Sequence, residues 1–308
     1  MSEEIKRVGL IGAGAMGRPM AENLLKKGFE TYVLAHSNRQ PIEELVGMGA
    51  KEVASAAQMA SQVQIIVTMV PDAPQVEETC FGEKGIVQGA APGLILIDMS
   101  TISPVATRSI AARLAEKGIG MVDAPVSGGP WRAQSGTLTI MAGGNPETYE
   151  RVKPVLETFG SPVLVGESGM GEVVKLVNQI IIGVSAIGIV EAFTFGVKAG
   201  AKAETLREVL MSATSGSYLM DKWIPQNLLK NDFSSGFASE LLHKDLNAAL
   251  SAARELGVPM MSTALSQQLY GTLKGMGYNR EDYTAIARIY QQAANITIAT
   301  GEPYSKDQ

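Results

Sequence analysis

The segment from Gly169 to Gly200 constrains the fold most, because it is long, almost wholly apolar and bounded by glycines. It predicts one helix of about 28 residues, well above the average of about 11–12 residues in globular proteins. Gly200 follows the cationic Lys198, a sequence typical of the end of a helix. Because its middle is apolar all round, this helix is expected to be buried on most sides.

A membrane span is one alternative for such a segment. Its charged and amide residues, Glu172, Lys175, Asn178 and Glu191, leave only about 12 uncharged residues in a row, whereas a span needs about 20. The segment is therefore predicted to be a core helix.

Three polar residues lie in the first turns of this apolar helix, namely Lys175, Asn178 and Gln179. Spacings of three and four residues place side chains on one face of a helix. A buried structural ion pair and a functional site would both explain a lysine there. Motifs elsewhere in the chain distinguish the ion pair from the functional site.

A glycine-rich motif follows the first predicted strand, Arg7–Ile11, and opens a predicted helix. The motif reads Gly12-Ala13-Gly14-Ala15-Met16-Gly17. Between a strand and a helix, the first glycine allows a tight turn, the second lets a pyrophosphate approach the backbone, and the third lets helix and strand pack closely. The N-terminus of the helix also favours an anion. These six residues are therefore predicted to bind a dinucleotide cofactor.

The end of the second predicted strand, Thr31–Ala35, indicates which cofactor is preferred. A chain that binds NAD usually has Asp or Glu there to bind the ribose hydroxyls, whereas here Ser37, Asn38 and Arg39 follow. Because a guanidinium fits a phosphate well, these three residues are predicted to bind the cofactor, with NADP preferred over NAD. The alternative is that Arg39 is a solvated residue at the start of the next helix.

Short apolar strands alternate with helices through the first half of the chain, which implies a doubly wound sheet. Further strands are predicted at 64–70, 94–98, 120–123, 137–142 and 163–165. Ligands of such sheets bind beyond the carboxyl ends of the strands. Met69, Val70 and Pro71 lie at one such end and are predicted to contact the cofactor. Ser100-Thr101 and the segment 123–129 lie at two others.

After the long helix the pattern changes to helices alone, predicted at 203–213, 218–229, 240–256, 262–276 and 282–297. The predicted fold is therefore α/β, with a Rossmann-type domain over 1–167 and an all-helical C-terminal domain over 168–308. The long interdomain helix, 170–199, begins the second domain. Its apolar surface needs cover, which predicts a homodimer or homotetramer.

Composition bears on the partners and the compartment. The net charge is −5 without a polybasic run, which argues against nucleic acid and anionic membranes. Two histidines and one cysteine, Cys80, provide no zinc-type ligand cluster and no internal disulfide, so no metal site is expected. The first residues lack a signal-peptide pattern. A cytoplasmic protein is expected.

Five segments occur in a characteristic order between residues 9 and 250. They read GLIGAGAMGRPMAENLL, DMSTISP, DAPVSGGPWRAQSGTLTIMAGG, GEVVKLVNQ and FASELLHKDLNAAL. With them, the chain resembles the β-hydroxyacid dehydrogenases, the family of 3-hydroxyisobutyrate dehydrogenase. Together the segments are specific to the family, but they do not specify the substrate.

The resemblance implies roles for the matching residues. Those on the cofactor would be Gly12, Gly14, Met16 and Gly17 at the pyrophosphate, Thr101 near the nicotinamide ribose, and Lys244 closing over the nicotinamide end. Those on the substrate would be Ser127, Gly128 and Gly129, which bind its carboxylate through backbone N–H groups, and Lys175 as the catalytic lysine with Asn178 beside it.

One residue departs from the family pattern. The family usually has two asparagines after the lysine, whereas this chain has Asn178 followed by Gln179. The longer amide keeps the type of hydrogen bond and moves it by one methylene. Gln179 is therefore predicted to contact the substrate, and to be where the substrate of this chain differs.

Lys175 suits the chemistry that the resemblance implies. A free lysine has a pKa near 10.4, but burial and a neighbouring positive nicotinamide favour its neutral form, so one lysine can serve as acid and as base. The predicted function is the interconversion of a small 3-hydroxy acid and its semialdehyde. The alternatives are an imine reductase-like enzyme, whose relatives generally lack this lysine, and a non-catalytic cofactor-binding interaction module.

Overall fold

The computed structural model describes residues 5–36, 38–234 and 236–305. The chain divides into two compact units, Met1–Leu176 and Val177–Gln308. The first, the N-terminal unit, is a mixed α/β structure on a largely parallel sheet, and the second, the C-terminal unit, is helical. This arrangement confirms the predicted fold class.

The sheet of the N-terminal unit has nine strands within the described residues. They are β1 (Arg7–Ile11), β2 (Glu30–Leu34), β3 (Lys51–Val53), β4 (Ile65–Thr68), β5 (Ile95–Asp98), β6 (Gly120–Asp123), β7 (Val126–Ser127), β8 (Leu138–Gly144) and β9 (Gly160–Gly166). Their order across the sheet is β3-β2-β1-β4-β5-β6-β8-β7, and β9 pairs with β8. The pairings from β3 to β6 are parallel, whereas β8 runs antiparallel to β6.

Both faces of this sheet are buried, which is why its strands are nearly continuous apolar runs. Leu10 and Val67 point into one apolar cluster, and Ile11 and Ile66 point into another. The helices that accompany the sheet are α1 (Gly17–Lys26), α2 (Gln40–Gly47), α3 (Ala56–Ala60), α4 (Ala73–Phe81), α5 (Pro104–Ala115), α6 (Gly129–Ser135) and α7 (Pro146–Leu156).

Side-chain caps fix where two of these helices begin. The Ser103 hydroxyl accepts a hydrogen bond from the Val105 N–H, and the Asn145 side chain accepts from the N–H groups of Glu147 and Thr148. Each helix then starts with a proline, which has no N–H to satisfy. Such a cap stabilises a helix by about 0.5–2 kcal/mol.

Four short elements are absent from the sequence prediction, namely β3, α3, β7 and α6. Two of them, β3 and β7, have three and two residues, too few to show a periodic pattern. In β3, Lys51 and Glu52 are exposed, because this strand forms the edge of the sheet. The last strand, in contrast, is longer than the predicted 163–165.

The C-terminal unit is built around the long helix α8 (Met170–Lys198), which starts in the N-terminal unit and continues past its boundary. The other helices of the unit are α9 (Ala203–Ser212), α10 (Ser239–Leu256), α11 (Met261–Gly275) and α12 (Ala287–Ala294). Val190 and Phe193 of α8 lie in the apolar core of this unit together with Phe233 and Tyr270. The two compact units divide within α8.

The prediction of one helix over 218–229 is wrong. The chain forms a π-helical turn at Leu219–Trp223 and a 3-10 turn at Leu228–Lys230. Pro225 lies between them, and a proline both lacks the N–H that a helix interior needs and clashes with the preceding turn. The predicted helix at 282–297 is likewise a 3-10 turn, Tyr283–Ile286, followed by α12.

By length and composition alone, α8 is apolar enough to cross a membrane, a test that the core helix of a soluble protein also passes. The charged residues of α8 differ in their exposure to solvent. Glu172 and Lys175 are buried, at 0% and 7% exposure, whereas Glu191 and Lys198 are exposed.

Candidate active site

The carboxyl ends of β1, β4, β5 and β6 lie side by side and carry most of the predicted site residues of the N-terminal unit. Contacts connect these strand ends. The Met69 N–H donates to the Ile11 carbonyl, and the Ala124 N–H donates to the Asp98 carbonyl at 2.7 Å. The glycine-rich turn after β1 and the segments after β4, β5 and β6 are thus held along one edge of the sheet, as predicted for a doubly wound fold.

The three glycines of the motif differ in what surrounds them. A Cβ on Gly12, whose φ is +105°, would lie 2.1 Å from the Met69 carbonyl oxygen, and one on Gly17 would lie 2.0 Å from the Gly12 carbonyl oxygen. Gly12 and Gly17 are therefore required by the packing of the protein itself. A Cβ on Gly14, in contrast, would meet no heavy atom within 4 Å.

The open space beside Gly14 leaves room for a dinucleotide to approach the backbone. The position faces away from the protein at the turn between β1 and α1, where backbone N–H groups and the start of a helix favour an anion. Nothing in the packing requires a glycine there, so the space suits a ligand that approaches the backbone closely. The motif residues therefore fit a pyrophosphate, with Ala13, Ala15 and Met16 in the same turn.

A buried hydrogen-bond network shapes the ends of β4 and β5. Asp98, at 0% exposure, accepts from the Thr68 hydroxyl at 2.8 Å and from the Ser100 N–H at 3.1 Å. The Ser100 hydroxyl in turn accepts from the Val70 N–H at 3.0 Å. This network fixes the segment 69–71 against the segment that contains Thr101, two of the predicted cofactor contacts. Sequence reasoning assigned no role to Asp98.

A second buried carboxylate, that of Asp123, holds the start of α8. Its two oxygens accept from the N–H of Gly169 at 2.8 Å and from the N–H of Glu172 at 3.2 Å. Burial raises the pKa of this carboxyl to about 6, against the opposing effect of these N–H groups. A Cβ on Gly143 or Gly171 would lie within 2.8 Å of the Asp123 carboxylate, so glycines are needed on both sides of it.

Lys175 lies in the second turn of this anchored helix and is 7% exposed. Glu172, one turn earlier, is fully buried. The anchoring through Asp123 places Lys175 at the same edge of the sheet as the glycine-rich turn. The sequence did predict Lys175 as a site residue. It did not predict that Asp123 anchors the helix. The sequence feature that could have indicated this is an aspartate between a buried strand and a glycine-rich loop.

The predicted carboxylate-binding loop begins at the end of β7, the short strand after β6. Ser127 ends β7, and Gly128 and Gly129 both have positive φ, at +139° and +72°, a conformation that favours glycine. The Arg132 side chain lies over this loop, because a Cβ on Gly128 would be 2.7 Å from its Cδ. Trp131 is 57% exposed.

The residues predicted to select NADP follow β2. Arg39 is exposed and forms ion pairs with Glu52 at 3.1 Å and Glu43 at 3.6 Å. Asn38 accepts a hydrogen bond from the Gln40 N–H. Ser37 lies outside the described residues. No carboxylate follows β2 before Arg39 in the sequence.

The remaining predicted residues lie in the C-terminal unit and are connected with one another. The Asn178 Nδ2 donates to the Gln179 Oε1 at 3.0 Å, and the Gln179 Nε2 donates to the Asp245 Oδ2 at 2.7 Å. Lys244 Nζ lies 3.1 Å from the Asp245 Oδ1. Gln179 and Asp245 are both 1% exposed. Asp245 was not predicted from the sequence.

The described residues contain no group of three or more His, Cys, Asp or Glu side chains able to hold a metal ion. Cys80 is buried and not in a disulfide, and burial raises the pKa of its thiol.

Comparison with known families assigns both units of the chain. Residues 7–167 match the NAD-binding domain of 6-phosphogluconate dehydrogenase, and residues 169–290 match the NAD-binding family of NADP-dependent 3-hydroxyisobutyrate dehydrogenase. These matches indicate a nicotinamide cofactor without distinguishing NADP from NAD.

Individual relatives are similar over nearly their whole length. The chain is 38% identical to 2-(hydroxymethyl)glutarate dehydrogenase of Eubacterium barkeri, over 98% of this chain and 100% of the relative. It is 39% identical to 2-hydroxy-3-oxopropionate reductase of Escherichia coli, over 95% and 100%. The solved structure of Mycobacterium tuberculosis 3-hydroxyisobutyrate dehydrogenase with L-serine is 28% identical, with a TM-score of 0.85 over 93% and 99%. The chain therefore belongs to the β-hydroxyacid dehydrogenase family of nicotinamide-dependent oxidoreductases.

Proposed function

We propose that this enzyme interconverts a small 3-hydroxy acid and its semialdehyde, with Lys175 as the general acid and base. The observation that carries the proposal is the buried Lys175, on a helix that Asp123 anchors to the edge holding the glycine-rich turn. A bound nicotinamide supplies the hydride chemistry. The chain has to move one proton and to orient the substrate.

The proton step is assigned to the Lys175 amine. During oxidation its neutral Nζ accepts the proton of the substrate hydroxyl, and during reduction its ammonium donates a proton to the carbonyl oxygen. Asn178, one turn later on α8, cannot transfer a proton and is assigned the orientation of the substrate.

The carboxylate of the substrate is assigned to Ser127, Gly128 and Gly129. The two glycines turn the backbone without side-chain bulk, so their N–H groups can approach an anion. Arg132 supports this assignment, because its side chain brings a positive charge to the loop. The cofactor role of Lys244 and the substrate role of Gln179 remain predictions.

The names of the relatives support the same class of substrate. 2-(Hydroxymethyl)glutarate and 2-hydroxy-3-oxopropionate share a carboxylate and, on the neighbouring carbon, a hydroxymethyl or aldehyde group. Such a molecule presents one anion and one reacting oxygen at a fixed separation. This pattern suits a loop of N–H donors and a single acid–base lysine.

NADP is proposed as the preferred cofactor. The end of β2 lacks the carboxylate that would repel a 2′-phosphate. The exposed ion pairs of Arg39 do not oppose the assignment, because surface pairs contribute only about 0–1 kcal/mol and the guanidinium can turn to a phosphate.

A homo-oligomer is also proposed. Val177, Ile181 and Phe195 are 50%, 58% and 77% exposed along one side of α8, since spacings of four and eighteen residues return to the same face of a helix. Such an exposed apolar stripe is typical of a surface that another protein chain covers.

Replacing Lys175 by alanine tests the catalytic assignment. We expect kcat to fall at least about 100-fold, the range of general acid–base catalysis, while NADPH binding, measured by fluorescence titration, is retained. Lys198→Ala on the same helix is the matched control, because Lys198 is exposed and its side chain donates to the carbonyls of residues 294 and 295. Wild-type kcat in Lys175→Ala contradicts the assignment.

Replacing Gly14 by alanine tests the pyrophosphate site. The added methyl group enters the open space and clashes only with a ligand, so Tm should not change while the Kd for NADPH rises about tenfold or more. Gly47→Ala in α2 is the control, because a Cβ there also meets no heavy atom within 4 Å. Equal NADPH affinity of Gly14→Ala and the wild type would exclude a ligand at this position.

Replacing Arg39 by alanine tests the cofactor preference. Loss of one charge-assisted contact to the 2′-phosphate should lower the ratio of kcat/KM for NADPH over NADH by about tenfold or more. The comparison variant is Arg113→Ala, which removes an exposed arginine paired with Glu77 at 3.2 Å. An unchanged ratio in Arg39→Ala shows that Arg39 does not bind the phosphate.

Replacing Phe195 by glutamate tests the oligomer. A charge in the middle of a covered apolar surface is costly to bury, so the mass measured by light scattering should fall below that of the wild type. Val46→Glu in α2 places the same charge at another exposed apolar residue, 42% exposed, and should keep the wild-type mass. A monomeric wild-type protein rules out the oligomer.

A further inference from the structure

A chain of four polar side chains connects α8 with α10 inside the C-terminal unit. It runs from Lys244 to Asp245, from Asp245 to Gln179 and from Gln179 to Asn178, at 3.1, 2.7 and 3.0 Å. Its two central members are almost fully buried. A buried polar group must be hydrogen-bonded to avoid a large desolvation cost, so the orientation of each amide in this chain is under strong energetic control.

The carboxylate of Asp245 gives the chain a direction. An ionised carboxylate only accepts hydrogen bonds, whereas a primary amide offers a donor at one end and an acceptor at the other. Gln179 must therefore present its NH2 group to Asp245, which leaves its oxygen for Asn178. Asn178 in turn must present its NH2 group to Gln179, and its own Oδ1 is left at the far end.

We propose that Gln179 and Asp245 are positioning residues that fix the Asn178 amide with its Oδ1 as the group offered to the substrate. The inference rests on the proposed function, in which Asn178 orients the substrate. It assigns Asn178 as an acceptor, so the favoured substrate carries a hydroxyl that donates to it. Among the described residues, the Asn178 side chain forms its hydrogen bond through Nδ2, which donates to Gln179. Its Oδ1 is therefore available for this role.

The length of Gln179 matters for this connection. An asparagine at position 179 would be shorter by one carbon–carbon bond, about 1.5 Å. Its amide could not keep both the 2.7 Å contact with Asp245 on α10 and the 3.0 Å contact with its neighbour on α8. The glutamine that stands in place of the second asparagine is thus long enough to reach the buried Asp245.

The test uses two probe aldehydes, 2-hydroxy-3-oxopropionate, which has a hydroxyl beside the aldehyde, and 3-oxopropionate, which lacks it. The readout is the ratio of their kcat/KM values with NADPH, which does not depend on the fraction of folded enzyme. The wild type should prefer the hydroxylated probe. Asp245→Asn keeps the shape but allows the amides of residues 179 and 178 to reverse, so the ratio should fall about tenfold, the effect of one lost hydrogen bond.

The double variant Gln179→Glu, Asp245→Asn separates positioning from general stability. A carboxylate at position 179 again accepts from Asn178, and an amide at position 245 can donate to it, so the direction of the chain and the wild-type ratio should return. Gln291→Met is the structural control, because Gln291 is also fully buried and bonds to Asn231 and to the Ile298 N–H. It should lower Tm and leave the ratio unchanged.

Three outcomes are distinguishable. If the wild type reduces both probes without preference, or if Asp245→Asn keeps the wild-type ratio, the positioning role is overturned and the proposed function stands. If the ratio falls but the double variant does not restore it, the direction of the chain is not the cause, and the inference is also overturned. If the wild type reduces neither probe nor any other small semialdehyde, the proposed function fails first.

Discussion

The rest of the site depends on the hydrogen bonds between the Asp123 carboxylate and the start of α8. Asp123 ends a buried strand, and its carboxylate accepts from two N–H groups at the start of α8. Burying a carboxylate costs several kcal/mol, and the N-terminus of a long helix is among the few protein environments that offset this cost with unpaired donors and a favourable dipole. Because Lys175 lies in the next turn of the same helix, these two hydrogen bonds help to set the position of the lysine relative to the sheet.

A second buried carboxylate, that of Asp98, holds another part of the same edge of the sheet. Asp98 satisfies donors from β4 and from the segment after β5, so that two loops predicted to contact the cofactor are held by hydrogen bonds as well as by apolar packing. Gly12 and Gly17 are fixed by contact with the backbone, and Gly14 is left open. Packing contacts within the protein therefore require glycine at positions 12 and 17. Gly14, the position predicted to face the ligand, has no such contact.

Much of this arrangement could be predicted from the sequence, because it depends on local patterns. The strand, glycine motif and helix at the N-terminus, the long helix that starts near Gly169, and Lys175 within it all follow from spacing, apolar runs and glycines. Elements of only two or three residues, such as β7 and β3, are too short to carry such a signal. Pairings between distant residues are also invisible in one sequence. Gln179 and Asp245 are 66 residues apart, and nothing near either residue indicates the other.

The central claim is that this chain transfers a hydride between a nicotinamide and a small 3-oxo acid. The most direct measurement follows deuterium from reduced cofactor that is fully deuterated at C4 of the nicotinamide ring, using the wild-type enzyme and a semialdehyde from a panel of small acids. The account predicts a 3-hydroxy acid with one deuterium on carbon 3, detected by mass spectrometry and NMR. A reduced product without deuterium, or no product with either cofactor across the panel, would contradict it.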